Sequence, residues 1–205
     1  MTKERPIIFS GEMVRAILDG RKTQTRRIVK PQPTIENLHR IDVVPKTLGL
    51  YYDWSKEGNV MSLACPYGKP GDKLWVRETF FYEWPDEDPP DDMRDCRIVY
   101  RASEPDYITS DMRESVSSYR WSSSIHMPRW ASRITLEITG VRVERLVDIT
   151  DSDCYAEGIT SLQNDILGEP YYSYKDLWDK LNAKRGYPWD SNPWVWVIEF
   201  KRITP

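Results

Sequence analysis

Between Ser132 and Glu144 the chain alternates apolar and polar residues. Ile134, Leu136 and Ile138 stand against Arg133, Thr135 and Glu137, and after Gly140 Val141 and Val143 stand against Arg142 and Glu144. A period of two marks a strand, so this is a long β-strand, bent or bulged at Gly140. The segment Trp194-Val-Trp-Val-Ile-Glu-Phe-Lys-Arg-Ile203 begins almost continuously apolar, which suits a strand covered on both faces. These two segments make a β-sheet the frame into which the rest of the chain must fit.

Weaker signals fill in the remainder. Pro6-Ile-Ile-Phe9 reads as a short strand, followed by Met13, Val14, Ile17 and Leu18 at helical spacing, with Ser10 as N-cap and Gly20 just past the C-terminus. Pro70-Gly-Asp72 is a turn leading into a strand from Lys73 to Phe81, and Arg97–Arg101 is a further strand. Residues 50–54 and 60–63 are short strands within an otherwise irregular stretch. Thr150 with Asp153 forms a capping box for a short helix ending at Gly158, and Ser173 with Asp176 repeats the signal before Leu177, Trp178 and Leu181, the expected buried face of another helix. The sum is an α+β, mainly β fold with about three short helices, and many short strands favour a compact barrel over a doubly wound sheet.

Nine Trp and twelve Tyr among 205 residues supply much of the apolar surface and point to an aromatic core in a single domain, 1–205. No apolar run approaches the roughly 18 to 20 residues that span a bilayer, and the first residues lack the apolar stretch of a secretion signal, so a soluble cytoplasmic protein is expected. Three scattered cysteines, with no C-x-x-C pair and two histidines, speak against a disulfide framework or a zinc site, and no metal or cofactor is expected. The net charge of -3 conceals an asymmetry. Residues 1–30 hold eight cations against three anions, whereas residues 83–95 hold seven acids against Arg94 and read as a solvated loop broken by Pro85, Pro89 and Pro90. The Ser-rich stretch from Pro105 to Ser124 reads as a loop.

Three motifs then occur in order: Gly20-Arg-Lys-Thr-Gln-Thr-Arg26 after a helix, Gly71-Asp-Lys-Leu-Trp-Val-Arg-Glu78 opening a strand, and Trp196-Val-Ile-Glu-Phe-Lys201 closing the chain. Together they resemble the ASCH-domain family of the PUA-like superfamily, in particular its larger phage- and prophage-type members. The resemblance implies a PUA-like β-barrel enlarged by insertions at 34–66 and 82–130. At the level of motif it extends to small amidohydrolases acting on N4-acetylcytidine, and implies Lys22, Thr25 and Glu157 as the catalytic group.

The chemistry is coherent on its own terms. A Thr hydroxyl is a weak nucleophile, and a Lys can activate it only if burial or neighbouring cations, here Arg21, Arg26 and Arg27, pull its pKa down from about 10.4. The expected course is Lys22 deprotonating Thr25, attack on the acetyl carbonyl, Glu157 protonating the departing amine, and hydrolysis of the acyl-threonine. Arg21, Arg26, Trp75 and Arg77 are candidate substrate-binding residues. Competing readings stand beside this one. The basic run can be a solvated face at a helix end, Trp194 and Trp196 share a face with Ile198 and Phe200 and suit a core, and His126 suits a structural role. The alternative functions are an RNA- or nucleotide-binding module, including a ribonuclease, and a non-catalytic phage accessory protein. The expected partner is a modified nucleoside or a single-stranded RNA base, with no membrane.

Overall fold

The computed structural model describes residues 2–33, 41–44, 49–53, 60–84, 90–109, 120–160 and 170–203. Strand β1 (Glu4–Ile8) leads into helix α1 (Gly11–Leu18) and strand β2 (Gln24–Ile28). Strands β3 (Ile41–Val44), β4 (Gly49–Asp53) and β5 (Val60–Ala64) form a separate antiparallel sheet. Then come β6 (Lys73–Arg77), the hairpin β7 (Phe80–Glu83) and β8 (Arg97–Tyr100), and the long strand β9 (Thr135–Arg145). Helices α2 (Asp151–Ala156) and α3 (Pro170–Asn182) precede the last strand, β10 (Trp194–Ile203).

The central sheet has the order β1-β6-β9-β10-β2, parallel only between β1 and β6. β9 and β10 pair from Trp194↔Arg145 to Glu199↔Gly140 and resume at Phe200↔Ile138, which leaves Thr139 as the extra residue of a bulge beside Gly140. Alternation along these strands divides the core in two. Ile7, Leu74, Val76, Leu136, Ile138, Trp196, Ile198 and Phe200 line one face and receive Val14 and Ile17 of α1. Val195 and Val197 line the other, under Cys154 of α2 and Tyr174 and Trp178 of α3. Fully buried side chains such as Ile17, Leu74, Ile138 and Ile198 each contribute about 1.5–3 kcal/mol to stability.

No described sheet closes into a barrel, which corrects the expected PUA-like β-barrel. Closure would require a backbone ladder between the edge strands β1 and β2. Instead the Arg27 side chain crosses that gap, Nη2 donating to the Ile8 carbonyl at 2.7 Å with its guanidinium 5.2 Å from the Phe9 ring. A single side-chain bridge leaves the remaining main-chain groups along the seam outside any ladder.

The hairpin β7–β8 carries its own small clusters, around Phe80 and Met127 and around Phe81, Val99 and Ile108. Glu78, buried at its junction with the central sheet, takes two hydrogen bonds from Arg133 at 2.9 Å, and the Arg133 guanidinium lies 4.0 Å from the Tyr100 ring centroid. Trp121 packs against Phe81's cluster, Trp130 stacks on Tyr82 while staying 43% exposed, and His126 is exposed in a short 3-10 turn. Trp54, His39, the prolines and acids of 85–89, and residues 110–119 of the Ser-rich stretch lie outside the described residues.

Helix ends follow the local rules. Ser10 caps α1, and α1 ends in a Schellman motif, Gly20 N–H to Ile17 O and Arg21 N–H to Ala16 O. The Thr150–Asp153 capping box opens α2, which closes the same way through Gly158 and Ile159. The Ser173–Asp176 signal is overturned: α3 already runs from Pro170, so Ser173 is interior. Its buried positions are Pro170, Tyr174, Trp178 and Asn182, each about one turn apart, and Leu181 is 42% exposed. Trp189 packs edge-on to Tyr171 and Tyr174, which moves the apolar stripe by part of a turn.

Gly158 has φ of +91°, and a Cβ there would sit 2.9 Å from Ala16 Cβ and 3.1 Å from Lys22 Cβ. Gly186 has φ of +87° with nothing within 4 Å. Gly186→Ala should therefore cost only backbone strain, about 1 kcal/mol, while Gly158→Ala should cost about 2–4 kcal/mol because overpacking is added. Urea unfolding of the two variants measures the difference, and equal losses would contradict the close packing at Gly158.

Candidate functional site

The turn between α1 and β2 is held by three backbone hydrogen bonds. Arg21 and Lys22 N–H both donate to Ala16 O, at 2.9 and 3.0 Å, and Thr23 N–H donates to Ala156 O at the end of α2 at 2.8 Å. The last bond docks α2 against the turn and brings its C-cap residue, Glu157, over Lys22. Lys22 Nζ donates to Glu157 Oε2 at 2.6 Å and to the Glu157 carbonyl at 2.8 Å. The side chains are 0% and 3% exposed. Nζ also lies 5.7 Å from the Phe9 ring centroid. Lys22, placed just before the strand begins, thus reaches both Phe9 under α1 and Glu157 of α2, on opposite sides of the sheet.

Glu157 has a second cationic neighbour. Arg26 Nη1 approaches Glu157 Oε1 at 3.4 Å, while Nη2 bonds Glu144 Oε2 at 3.1 Å and Asp153 Oδ2 at 3.2 Å. Arg142 joins Glu144, Glu199 and Asp153, and Gln24 Nε2 donates to Asp153 Oδ1 at 3.0 Å. Sequence reasoning missed Gln24, Arg142, Glu144, Asp153 and Glu199 as members of this group. Arg142 and Glu144 are the polar half of the β9 alternation, a pattern that suits water. Asp153 was visible only as a cap, a role it also performs by accepting from the Thr150 backbone and hydroxyl.

Burial is the largest influence on Lys22 and holds its pKa below the ordinary lysine value. Arg27 and Arg26 act in the same direction, and the Glu157 carboxylate opposes them. Arg21 contributes nothing comparable: it is exposed and bonds Asp19 at 2.9 Å and the Gly158 carbonyl at 3.1 Å. Burial alone would raise the Asp153 carboxyl, but hydrogen bonds from Gln24 and Thr150 and the charge of Arg26 hold it at about 2.

Of the remaining sequence candidates, Thr25 is buried in β2 opposite Ile198, and its neighbour Arg26 points to the other face of the sheet. Lys22 Nζ bonds Glu157, and no hydrogen bond joins it to the Thr25 hydroxyl. Trp75 and Arg77 lie on β6, and no hydrogen bond or ion pair joins either to Lys22. The two are linked through β1, where Ile8 pairs with Arg77, Phe9 N–H donates to the Arg77 carbonyl at 3.3 Å and the Phe9 ring centroid lies 5.7 Å from Lys22 Nζ. On β6 Trp75 is buried between the guanidinium groups of Arg77, at 4.7 Å, and Arg129, at 5.9 Å. Among the described residues no group of three or more His, Cys, Asp or Glu is arranged to hold a metal ion, and no helix is long and apolar enough to cross a membrane.

Because the folded pKa of Asp153 lies below the unfolded value of 3.8, its share of stability is complete above about pH 5. It is lost as pH falls through 4 towards 2, an effect of about 2 kcal/mol. Tryptophan-monitored denaturant unfolding between pH 6 and 2 should show this loss. Asp153→Asn should start less stable and follow a flatter profile, and an unchanged profile would contradict the assignment.

Neither a protein-family model nor a curated sequence matches the chain. Two solved structures align with the chain. One is a protein of Enterococcus faecalis described under the family model DUF984, with a TM-score of 0.41 and 10% identity over 99% of this chain and 81% of that one. The other is an ASCH domain from Lactobacillus crispatus, also with a TM-score of 0.41 and 10% identity, over 98% of this chain and 79% of that one. At this level of similarity neither assigns a family or an activity to the chain.

Proposed function

We propose that the protein is a binding module for a nucleoside or a single unpaired base, recognised at the Lys22–Glu157 pair. The observation that carries this reading is the pair itself. A carboxylate and an ammonium group stand side by side, held by backbone hydrogen bonds and shielded from water. A carboxylate accepts from an exocyclic base amine, as in contacts to cytosine N4, and an ammonium donates to the ring acceptors beside it. The buried pair must open for such a ligand to reach it; as Glu157 Oε2 turns to the ligand, the Glu157 carbonyl, 2.8 Å from Lys22 Nζ in the free protein, remains as a partner for the ammonium.

Recognition of one base is favoured over capture of a long polyanion because the basic N-terminal segment is consumed inside the fold. Lys22 and Arg26 are buried in ion pairs, Arg27 is spent on the Ile8 carbonyl, and Arg21 is paired with Asp19. With a net charge of -3, little free cationic surface remains on this segment to track a phosphate backbone.

A second reading, hydrolysis of an N4-acylated cytidine at the same place, is favoured by the depressed pKa of Lys22. The reaction starts from the form of the pair in which the proton sits on Glu157. Lys22 takes the Thr25 proton as Thr25 Oγ bonds to the acyl carbon, and the C–N bond breaks as Glu157 gives its proton to the amine. Water, deprotonated by Glu157, then cleaves the acyl-threonine while Lys22 returns its proton to Thr25. Thr25 must approach Lys22 for this to occur.

Calorimetric titration with cytidine, N4-acetylcytidine and a short unstructured RNA tests both readings. Glu157→Gln should weaken cytidine binding tenfold or more, the usual loss for a charged hydrogen bond. Absence of binding to all three ligands would refute the binding module, and a steep salt dependence would replace base recognition by phosphate contacts. Acetate release from N4-acetylcytidine that falls at least 100-fold in Lys22→Met would support hydrolysis, and no release would remove it.

A further inference from the structure

The charges around the pair form a chain of alternating sign across the sheet. It begins with Lys22 and Glu157, passes through Arg26 on β2 to Glu144 on β9 and Asp153 on α2, and continues to Arg142 on β9 and Glu199 on β10. Exposure rises along it, from 0% for the Lys22 and Arg26 side chains to 33% for Arg142 and 46% for Glu199. One end is therefore sealed beside the candidate ligand site and the other meets water.

We infer that Arg26 is a positioning residue for Glu157, and that the outer charges Glu144, Asp153, Arg142 and Glu199 act through it to set how tightly the Lys22–Glu157 pair holds its proton. Arg26 divides one guanidinium between two tasks. Its Nη2 is committed to Glu144 and Asp153 at 3.1 and 3.2 Å, and its Nη1 reaches Glu157 at the longer distance of 3.4 Å. A charge on Glu144 or Asp153 draws Arg26 outward and adds negative potential at Glu157; Arg142 offsets both effects by pairing with the same two carboxylates. In a water-excluded site such interactions are screened far less than at the surface.

The other ionisable groups around the pair do not compete with this control near neutral pH. Arg27 on β2 is cationic throughout. Burial pushes the Cys154 thiol on α2 up to about 12 and holds the Tyr174 hydroxyl on α3 well above its ordinary value, so both stay neutral. Asp153, held at about 2, stays ionised.

The role of the pair as a ligand site rests on the proposed function, but its proton affinity belongs to the free protein and can be measured without ligand. The test is an NMR titration of the Glu157 carboxyl carbon in the full chain, wild type against Glu144→Gln and Arg142→Gln, both at partly exposed positions. Removing the Glu144 charge should lower the midpoint by about half a pH unit, and removing the Arg142 charge should raise it by a similar amount. Opposite shifts are a signature that loosened packing does not produce. Midpoints that move together, or by less than about 0.2 unit, overturn the inference. If Glu144→Gln fails to fold, Glu199→Gln at the solvent end should give a smaller downward shift. Opposite shifts in a protein that binds no cytidine would sustain the charge chain and refute the binding module.

Discussion

Lys22 and Glu157 are withdrawn from water almost completely, and an ion so placed costs several kcal/mol unless its partner and its remaining hydrogen bonds are in place. Meeting that condition constrains three elements together. The Schellman end of α1 sets the direction in which Lys22 leaves the helix, and the Thr23–Ala156 bond fixes the end of α2 against it. Gly158 allows the two backbones to approach closely enough for Nζ to reach both a carbonyl and a carboxylate of one residue. Removing either partner would leave the other charge uncompensated, which costs about 3–5 kcal/mol, so the contact stabilises this arrangement of α1, β2 and α2.

The central sheet makes this possible by supplying two unlike faces. Under α1 its face is apolar, from Ile7 across to Phe200. On the other, the apolar residues Val195 and Val197 of β10 support α2 and α3, and the polar Gln24 and the charged residues Arg26, Arg142, Glu144 and Glu199 neighbour them. The helix carrying Glu157 is thus seated on apolar contacts at one side and on ion pairs at the other. The ion pairs fix its register, because Asp153 and Glu157, four residues apart on α2, both engage Arg26.

Several parts of this arrangement are legible from local chemistry. The alternation of 134–143, its bulge beside Gly140, Ser10 and Gly20 around α1, and the Thr150 capping box each depend on residues a few positions apart, and the structure agrees with each. The Ser173–Asp176 signal shows the limit of such reasoning, since a capping pattern has force only where the helix begins and α3 begins at Pro170. Closure of the sheet was equally beyond local reading. Whether two edge strands pair depends on the groups between them, and here Arg27 occupies that place. Trp75 and Arg77 alternate on β6 as a strand pattern requires, but what the pair faces depends on β1, whose Ile8 and adjoining Phe9 stand between β6 and the side chains of Arg27 and Lys22.

By itself the sequence determined which side of β9 is apolar, that β10 is covered on both faces, where α1 and α2 start and stop, and that a cluster of cations follows α1. Those properties follow from backbone geometry and short-range hydrogen bonding. Only the tertiary structure decided what the polar faces meet. Lys22 finds its carboxylate 135 residues away and Arg26 meets Glu144 at a separation of 118. The physical reason is that a period of two states the direction in which a side chain leaves its strand and nothing about what lies opposite. Arg142 and Glu144 look like a water-facing edge until α2 is packed over them, and that packing turns a solvated basic segment into a buried, internally neutralised charge group.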